Sequence, residues 1–342
     1  MAWTAPLRLR LDMDALAANW RTLDAMSGTA ACGAAVKANG YGLGARRVAL
    51  RLAAAGCRDF FVATWGEAAA LADTGVTLSV LHGVRDEDMA VARAAAHARP
   101  VLNTPDQVRR WRGAGGGACD IMVDTGLNRL GLSAGDIAGG LLDGLTIETL
   151  MSHLACADEP GHPLNERQRA AFASLAGKTR ARRMSLANSA GIALGPDYAF
   201  GLTRPGLALY GGVPVPALEG RIAQVVFPEA QILQRRTVRA GQTIGYNATW
   251  TARADTEVAI LNLGYADGYF RGFSARGWAV HEGERLPVLG RVSMDLVAVD
   301  VGTASALAEG DWLAIGYHLP EAAAVSGMSQ YELLTGLGVR FG

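Results

Sequence analysis

The segment AAVKANGYGLGA, residues 34–45, carries the residue with the clearest chemical promise, Lys37. Apolar Val36 and small Ala38 flank it, which favours partial burial. Burial penalises the charged ammonium, lowers its pKa and leaves an amine that can condense with an aldehyde as a Schiff base. A solvated lysine at the end of a strand is the alternative, and position alone leaves both open. Further polar groups stand in similar short contexts: Arg129 in DTGLNRLG, His153 in MSHLACAD, Asn188 and Ser189 in LANSAG, and Arg204 in TRPGLALYG. An arginine fork grips a carboxylate or phosphate in two places. A helix opening at Ser189 and a glycine-bearing turn at Gly206 suit a phosphate, through backbone N–H groups and the helix dipole.

The elements that must position these groups follow a pattern. A helix over 14–26 places Leu16, Trp20 and Leu23 on one face. Strand-like runs fall at 32–36, 60–62, 78–81, 100–102, 120–123, 146–151, 183–186 and 202–204, mostly separated by helical stretches. One of these helices follows Gly44, and Gly56 is placed to end it. Eight strands, each followed by a helix or long loop, predict a (β/α)8 TIM-type barrel over 12–214. Lys37, Arg129, His153, Asn188 with Ser189, and Arg204 then all lie at the C-terminal ends of strands, the face on which barrel enzymes carry their chemistry. The phosphate-suited residues follow strands seven and eight, where barrel phosphate sites concentrate.

After Gly211-Gly212 the pattern changes. VPVPALEG reads as a linker, and β-type runs follow at 225–238, 257–263, 286–292, 296–301 and 312–315. Turn signals lie between them, as at Ala240-Gly241 and Glu309-Gly310-Asp311. The expected α/β architecture is therefore a barrel followed by a mostly-β C-terminal domain over 215–342. Lys plus Arg and Asp plus Glu are both 32, so the charge balance carries no basic footprint for nucleic acid. Cys32, Cys57, Cys119 and Cys156 form no C-x-x-C pair, which reads as reduced thiols and a cytoplasmic setting. No apolar run is long enough to span a bilayer, and the opening residues hold no signal-like apolar core. His82, His97, His162, His281 and His318 match no metal-ligand spacing, and no metal is expected.

AVKANGYGLG resembles the cofactor-lysine signature of alanine racemases, and the resemblance continues in order through DTGLNRLG, SHLACAD, ANSAG, RPGLALYG, IGYNATWTA, LGYADGYFRG and GRVSMDLVAVDV. It implies a fold-type III, pyridoxal-phosphate-dependent amino-acid racemase. Lys37 would hold the cofactor as a Schiff base. Tyr41, Asn188, Ser189 and main-chain groups of Gly206 and Leu207 would surround its phosphate. Arg204 would face the pyridine nitrogen, with His153 beside the cofactor linking Arg204 to a second base. That second base would be Tyr246. Inversion at a carbon that becomes planar needs an acid/base on each face, Lys37 on one and Tyr246 on the other. A free tyrosine has a pKa of about 10, so the site must depress it. Without the resemblance, Tyr246 reads as a core tyrosine of the β domain and Met294 as ordinary core. With it, Arg129 forks onto the substrate carboxylate or the cofactor's phenolic oxygen, the Met294 N–H receives the carboxylate, and Tyr265 and Asp295 border the corridor into the site. The resemblance further implies a first strand, about residues 3–11, within the β domain. It implies a head-to-tail homodimer in which Tyr246 and Met294 reach the partner's cofactor, and D-alanine supply for peptidoglycan. Other readings are a racemase of broader or serine specificity, a fold-type III decarboxylase, and a non-catalytic cofactor carrier. Carriers resemble the barrel half alone, and decarboxylase chains are usually longer.

Two positions depart from the family. Many members carry a carbamylated lysine seven residues before the arginine of DTGLNRLG; here Met122 stands there. Some members place a tyrosine near the cofactor from the C-terminal tail; after Tyr331 this chain runs ELLTGLGVRFG without one.

Overall fold

The computed structural model describes residues 5–337 and 340–341. The chain divides into two compact units, Met13–Ala223 and Gln224–Gly342 with Met1–Asp12.

The first unit is a parallel barrel. Its first strand is broken at Gly33 into Ala31–Cys32 and Ala34–Ala35. The others are Asp59–Val62, Thr77–Val80, Ala98–Leu102, Cys119–Met122, Ile147–Met151, Arg183–Ser185 and Leu202–Thr203. Ala34–Ala35 through Arg183–Ser185 pair in order in one seven-stranded parallel sheet, Ala34 with Phe60 and Phe60 with Leu78 among the partners. The eighth strand closes onto the first through Leu202 and Ala31, and the Ala35 N–H donates to Pro205 O at 2.9 Å. All eight strands predicted from the apolar runs are present. The break at Gly33 has a steric cause. A Cβ there would lie 2.8 Å from Asp59 O and 2.9 Å from the Phe61 ring, so only glycine lets the first strand approach the second.

Helices cover the barrel. Met13–Met26 buries Leu16, Ala17, Trp20 and Leu23, and Trp20 Nε1 donates to Cys32 O at 3.2 Å. Ala45–Ala55 starts after Gly44 and ends at Gly56, whose φ of 126° a side chain would strain. The interior holds charge as well as apolar side chains. Asp120, with no exposed surface, accepts from Ser79 Oγ at 2.6 Å and Arg99 Nε at 2.9 Å, and Arg183 reaches Asp59 at 3.0 Å. In VPVPALEG, Val215 and Leu218 are buried and Pro216–Leu218 forms a turn of 3-10 helix.

The second unit is an antiparallel barrel. Val226–Val238 alternates buried and half-buried residues in its first half, as a strand with one face on a core does. It pairs with Leu7–Leu11, Thr256–Leu261 and Trp312–Ile315. Val297–Asp300, Glu284–Leu289 and Trp278–His281 complete the ring, which closes through the pairing of Glu229 with Ala314. The expected N-terminal strand is thus present over Leu7–Leu11, while Trp3 and Thr4 lie outside the described residues. Trp278–His281, a short hairpin of Thr243–Ile244 with Trp250–Thr251, and the helices Leu319–Ser326 and Gln330–Thr335 were not foreseen.

Candidate active site

The C-terminal mouth of the parallel barrel gathers one amine, two guanidiniums, one imidazole and a set of hydrogen-bond donors. Lys37 follows the first strand directly and is half-buried. After it the backbone turns left-handed at Ala38, Asn39, Gly40 and Tyr41, with φ of 52°, 53°, 63° and 54°. Glycine and asparagine take this conformation readily, but alanine and tyrosine are strained in it, by about 1–2 kcal/mol each. The turn is held from outside: the Ala38 N–H donates to Glu67 Oε1 at 2.7 Å, and Glu67 Oε2 accepts from the Ala63 N–H at 2.7 Å. Glu67 also completes the capping box of the helix Trp65–Ala69. Burial, then the nearby Arg129 cation, lowers the Lys37 pKa from its usual value, while Glu67 opposes the shift.

Tyr41, buried, stacks on Tyr210 with centroids 4.5 Å apart, and the Tyr210 hydroxyl donates to Ala35 O at 2.8 Å. Its own hydroxyl lies over Gly206, where an added Cβ would stand 2.2 Å from it. Asn188 caps the single turn Ser189–Ile192, its side chain accepting from the Gly191 N–H at 2.8 Å. Ser189 Oγ accepts from the N–H groups of Gly206 at 3.0 Å and Ala208 at 3.2 Å. The Leu207 N–H between them makes no hydrogen bond among the described residues, although Leu207 is buried. A buried N–H left without an acceptor is costly, and its two neighbours in the turn are tied to the Ser189 hydroxyl, with the Tyr41 hydroxyl over Gly206. The residues present fit a phosphate.

Arg204 is buried. It donates to Ser152 O at 2.5 Å and to Ser185 Oγ, both neutral acceptors. Burial brings its pKa down to about 10, so it stays charged near neutrality. His153 feels burial first and then the cations of Arg204, Arg129 and Lys37, which push its pKa down to about 3. The imidazole is therefore neutral at physiological pH. Arg129 lies exposed on the loop after the fifth strand, close enough to act electrostatically on both Lys37 and His153.

The remaining predicted residues belong to the antiparallel unit. Tyr246 starts a short turn and is 68% exposed; Met294 is 53% exposed. Neither is core, as a reading without the resemblance would have it. The Tyr265 N–H donates to Ser293 O and the Ala266 N–H to Met294 O, both at 3.0 Å. Gly264 has no room for a Cβ, which would lie 2.2 Å from Met294 O, so the LGYADG turn clasps the SMD loop directly. Arg340 pairs with Asp295 at 2.7 Å and with buried Asp267 at 2.8 Å, and Arg271 lies 5.2 Å from the Tyr265 ring.

Sequence reasoning missed Glu67, Ser152, Ser185, Tyr210 and Arg340. Only Glu67 had a local signal, the T-x-x-E of Thr64 and Glu67.

The models for the alanine racemase N-terminal and C-terminal domains match residues 11–214 and 225–342. An alanine racemase of Acidiphilium cryptum is 42% identical, with 97% of each chain covered. A catabolic alanine racemase of Mesorhizobium japonicum is 41% identical over 97% of this chain and 91% of its own. The crystal structure of alanine racemase from Bartonella henselae, with covalently bound pyridoxal phosphate, superposes with a TM-score of 0.90 at 34% identity, covering 99% of each chain.

Proposed function

Because the chain belongs to the alanine racemase family, we propose that it interconverts L- and D-alanine with pyridoxal 5'-phosphate held at the mouth of the parallel barrel. The observation that carries this reading is the half-buried Lys37 amine, its charge disfavoured by burial and Arg129, on the same barrel mouth as the Ser189 hydroxyl and the unbonded Leu207 N–H.

Bound pyridoxal phosphate supplies an electron-withdrawing ring that spreads the negative charge left on the α-carbon when its proton departs. Tyr41, Asn188, Ser189 and the Gly206–Leu207 backbone would hold its phosphate. Arg204 would face the ring nitrogen and, with a pKa brought down only to about 10, would not hand it a proton near neutrality. A ring left unprotonated there would supply a weaker electron sink, which would disfavour side reactions such as transamination. His153 stays neutral and links Arg204 towards the second base. Lys37 Nζ takes or returns the α-proton on one face, and the partner subunit's Tyr246 hydroxyl does so on the other. Arg129 and the partner subunit's Met294 N–H receive the substrate carboxylate, and Tyr265 with Asp295 borders the corridor. We assign residues 12–214 to cofactor binding and the remainder to the β-rich domain.

We further infer that the enzyme works as a homodimer in the cytoplasm and supplies D-alanine for peptidoglycan. Among the described residues no helix is long and apolar enough to cross a membrane. All four cysteines are free, and burial pushes the thiols of Cys32 and Cys119 up to about 12.

Tyr246→Phe tests the two-base assignment. Losing one positioned acid/base should slow inversion of either enantiomer by about 10²–10⁴-fold, followed by chiral chromatography. Exchange of the α-proton of D-alanine in deuterated water should survive in part, because Lys37 remains, while exchange on L-alanine falls with inversion. Equal survival of exchange on both enantiomers would remove Tyr246 from the role.

A further inference from the structure

Met122 stands where an anionic side chain could have oriented Arg129, and Arg129 enters no ion pair among the described residues. Its loop is closely built all the same. Asp124 Oδ1 accepts from the N–H groups of Gly126, Leu127 and Asn128 at 2.9, 3.0 and 3.1 Å. The neck closes through the Leu132 N–H to Met122 O at 2.8 Å and the Asp124 N–H to Leu132 O at 3.0 Å. These bonds fix the internal shape of the loop but not its seat on the barrel.

The seat is built around one buried amide, with the Thr125 hydroxyl between it and Ser152. Gln168, on the helix Pro163–Ala173, has no exposed surface. Its Nε2 donates to His153 O at 2.9 Å and to Thr125 Oγ1 at 3.3 Å, and its Oε1 accepts from the Ala155 N–H at 2.9 Å. The Thr125 hydroxyl also bonds the Ser152 hydroxyl at 2.7 Å, and Ser152 O receives Arg204. The three partners are two acceptors and one donor, which an amide matches in full. A carboxylate could accept from the Ala155 N–H and the Thr125 hydroxyl but would leave His153 O without a donor, and an apolar side chain would match none. Gln168 therefore ties the loop after the fifth strand, which carries Arg129, to the end of the sixth, which carries His153 and anchors Arg204.

We propose that Gln168 is a positioning residue that seats the Arg129 loop so that the guanidinium meets the substrate carboxylate without a charged neighbour to aim it. This rests on the reading of Arg129 as the receiver of that carboxylate. Orientation comes from buried neutral hydrogen bonds two steps away, so the site keeps an uncompensated positive charge for the substrate.

The test uses the cofactor-loaded enzyme and propionate, which is alanine without its amine, as a carboxylate probe whose binding is read from the cofactor absorbance. Gln168→Ala and Thr125→Val should each raise the propionate Kd and the alanine KM by about tenfold, the cost of roughly one buried hydrogen bond, with a smaller change in kcat. Thr125→Ser keeps the hydroxyl and should restore both. In an Arg129→Lys background, Gln168→Ala should have little further effect on propionate. The proposal is overturned if Thr125→Val, folded and cofactor-loaded, binds propionate as tightly as the parent. It is equally overturned if Gln168→Ala weakens binding by the same factor with or without Arg129. If Arg129→Lys alone leaves propionate binding unchanged, it is the assignment of Arg129 that fails, and the proposal falls with it.

Discussion

Lys37 is one of only two lysines in the chain, the other being Lys178, which is exposed. The chemistry asked of Lys37 needs a neutral amine, and its surroundings supply one by two routes, burial and the Arg129 charge, against the weaker pull of Glu67. The pH dependence of cofactor loading follows from this. Loading of the apoprotein should rise with pH around the Lys37 pKa, below the ordinary lysine value of 10.5. Arg129→Gln removes a like charge, makes the ammonium easier to keep and should move the loading midpoint to higher pH. Glu67→Gln removes an opposite charge and should move it to lower pH. The growth of cofactor absorbance across a pH series checks both, and a midpoint indifferent to Arg129 would show that the two cations do not interact. His153 should add no step between pH 5 and 8, since it titrates near 3. Lys37 was legible because its neighbours are small or apolar. Ser152 and Ser185 were not, because what makes them matter is Arg204, 52 and 19 residues further along the chain.

At the scale of elements, the site is made by strand ends meeting glycine-dependent turns. Gly206 opens the turn Leu207–Tyr210, and its missing Cβ leaves room for the Tyr41 hydroxyl. Tyr41 cannot swing away cheaply, because its ring is stacked on Tyr210 and its backbone is locked in the left-handed turn. Gly206→Ala should therefore overpack the cradle and destabilise the protein by about 1–3 kcal/mol. It should also weaken cofactor affinity, measured by titrating apoprotein with pyridoxal phosphate. Unchanged affinity would show that the phosphate does not sit at this turn. The barrel strands could be read from sequence because each is a short apolar run between turn residues. The hairpin of Thr243–Ile244 with Trp250–Thr251 has strands two residues long, too short to show any period. Trp278–His281 is a strand only because Glu284–Leu289 and Trp312–Ile315 pair with it from either side. Gln168 escaped notice for the same reason: a glutamine inside a helix looks like solvated surface until the loops it bridges are folded around it.

For the molecule as a whole, the question is where the second base comes from. Tyr246 is largely exposed on its own unit, and its turn adjoins the loop that carries Met294, since Gly245 packs against the Arg291 backbone. A general acid/base must lie within hydrogen-bond reach of the proton it moves, and a phenol standing this far out of its own unit is free to reach into another copy of the chain. Mixing inactive variants separates this from a site complete within one chain. Lys37→Ala lacks the amine and Tyr246→Phe lacks the phenol, so each variant alone should be inactive. If Tyr246 serves the partner's cofactor, a dimer of one chain of each kind has one site with both bases intact and one with neither. Random exchange of subunits makes half the dimers mixed, so about a quarter of all sites should be competent in a two-fold assembly. Activity should appear after mixing at the rate of subunit exchange, which dilution followed by reconcentration should hasten. If Lys37 and Tyr246 instead act within one chain, no mixture can pair them and no activity returns. A silent mixture in which sedimentation or native mass spectrometry shows mixed dimers would therefore confine the two bases to one subunit and refute the shared site.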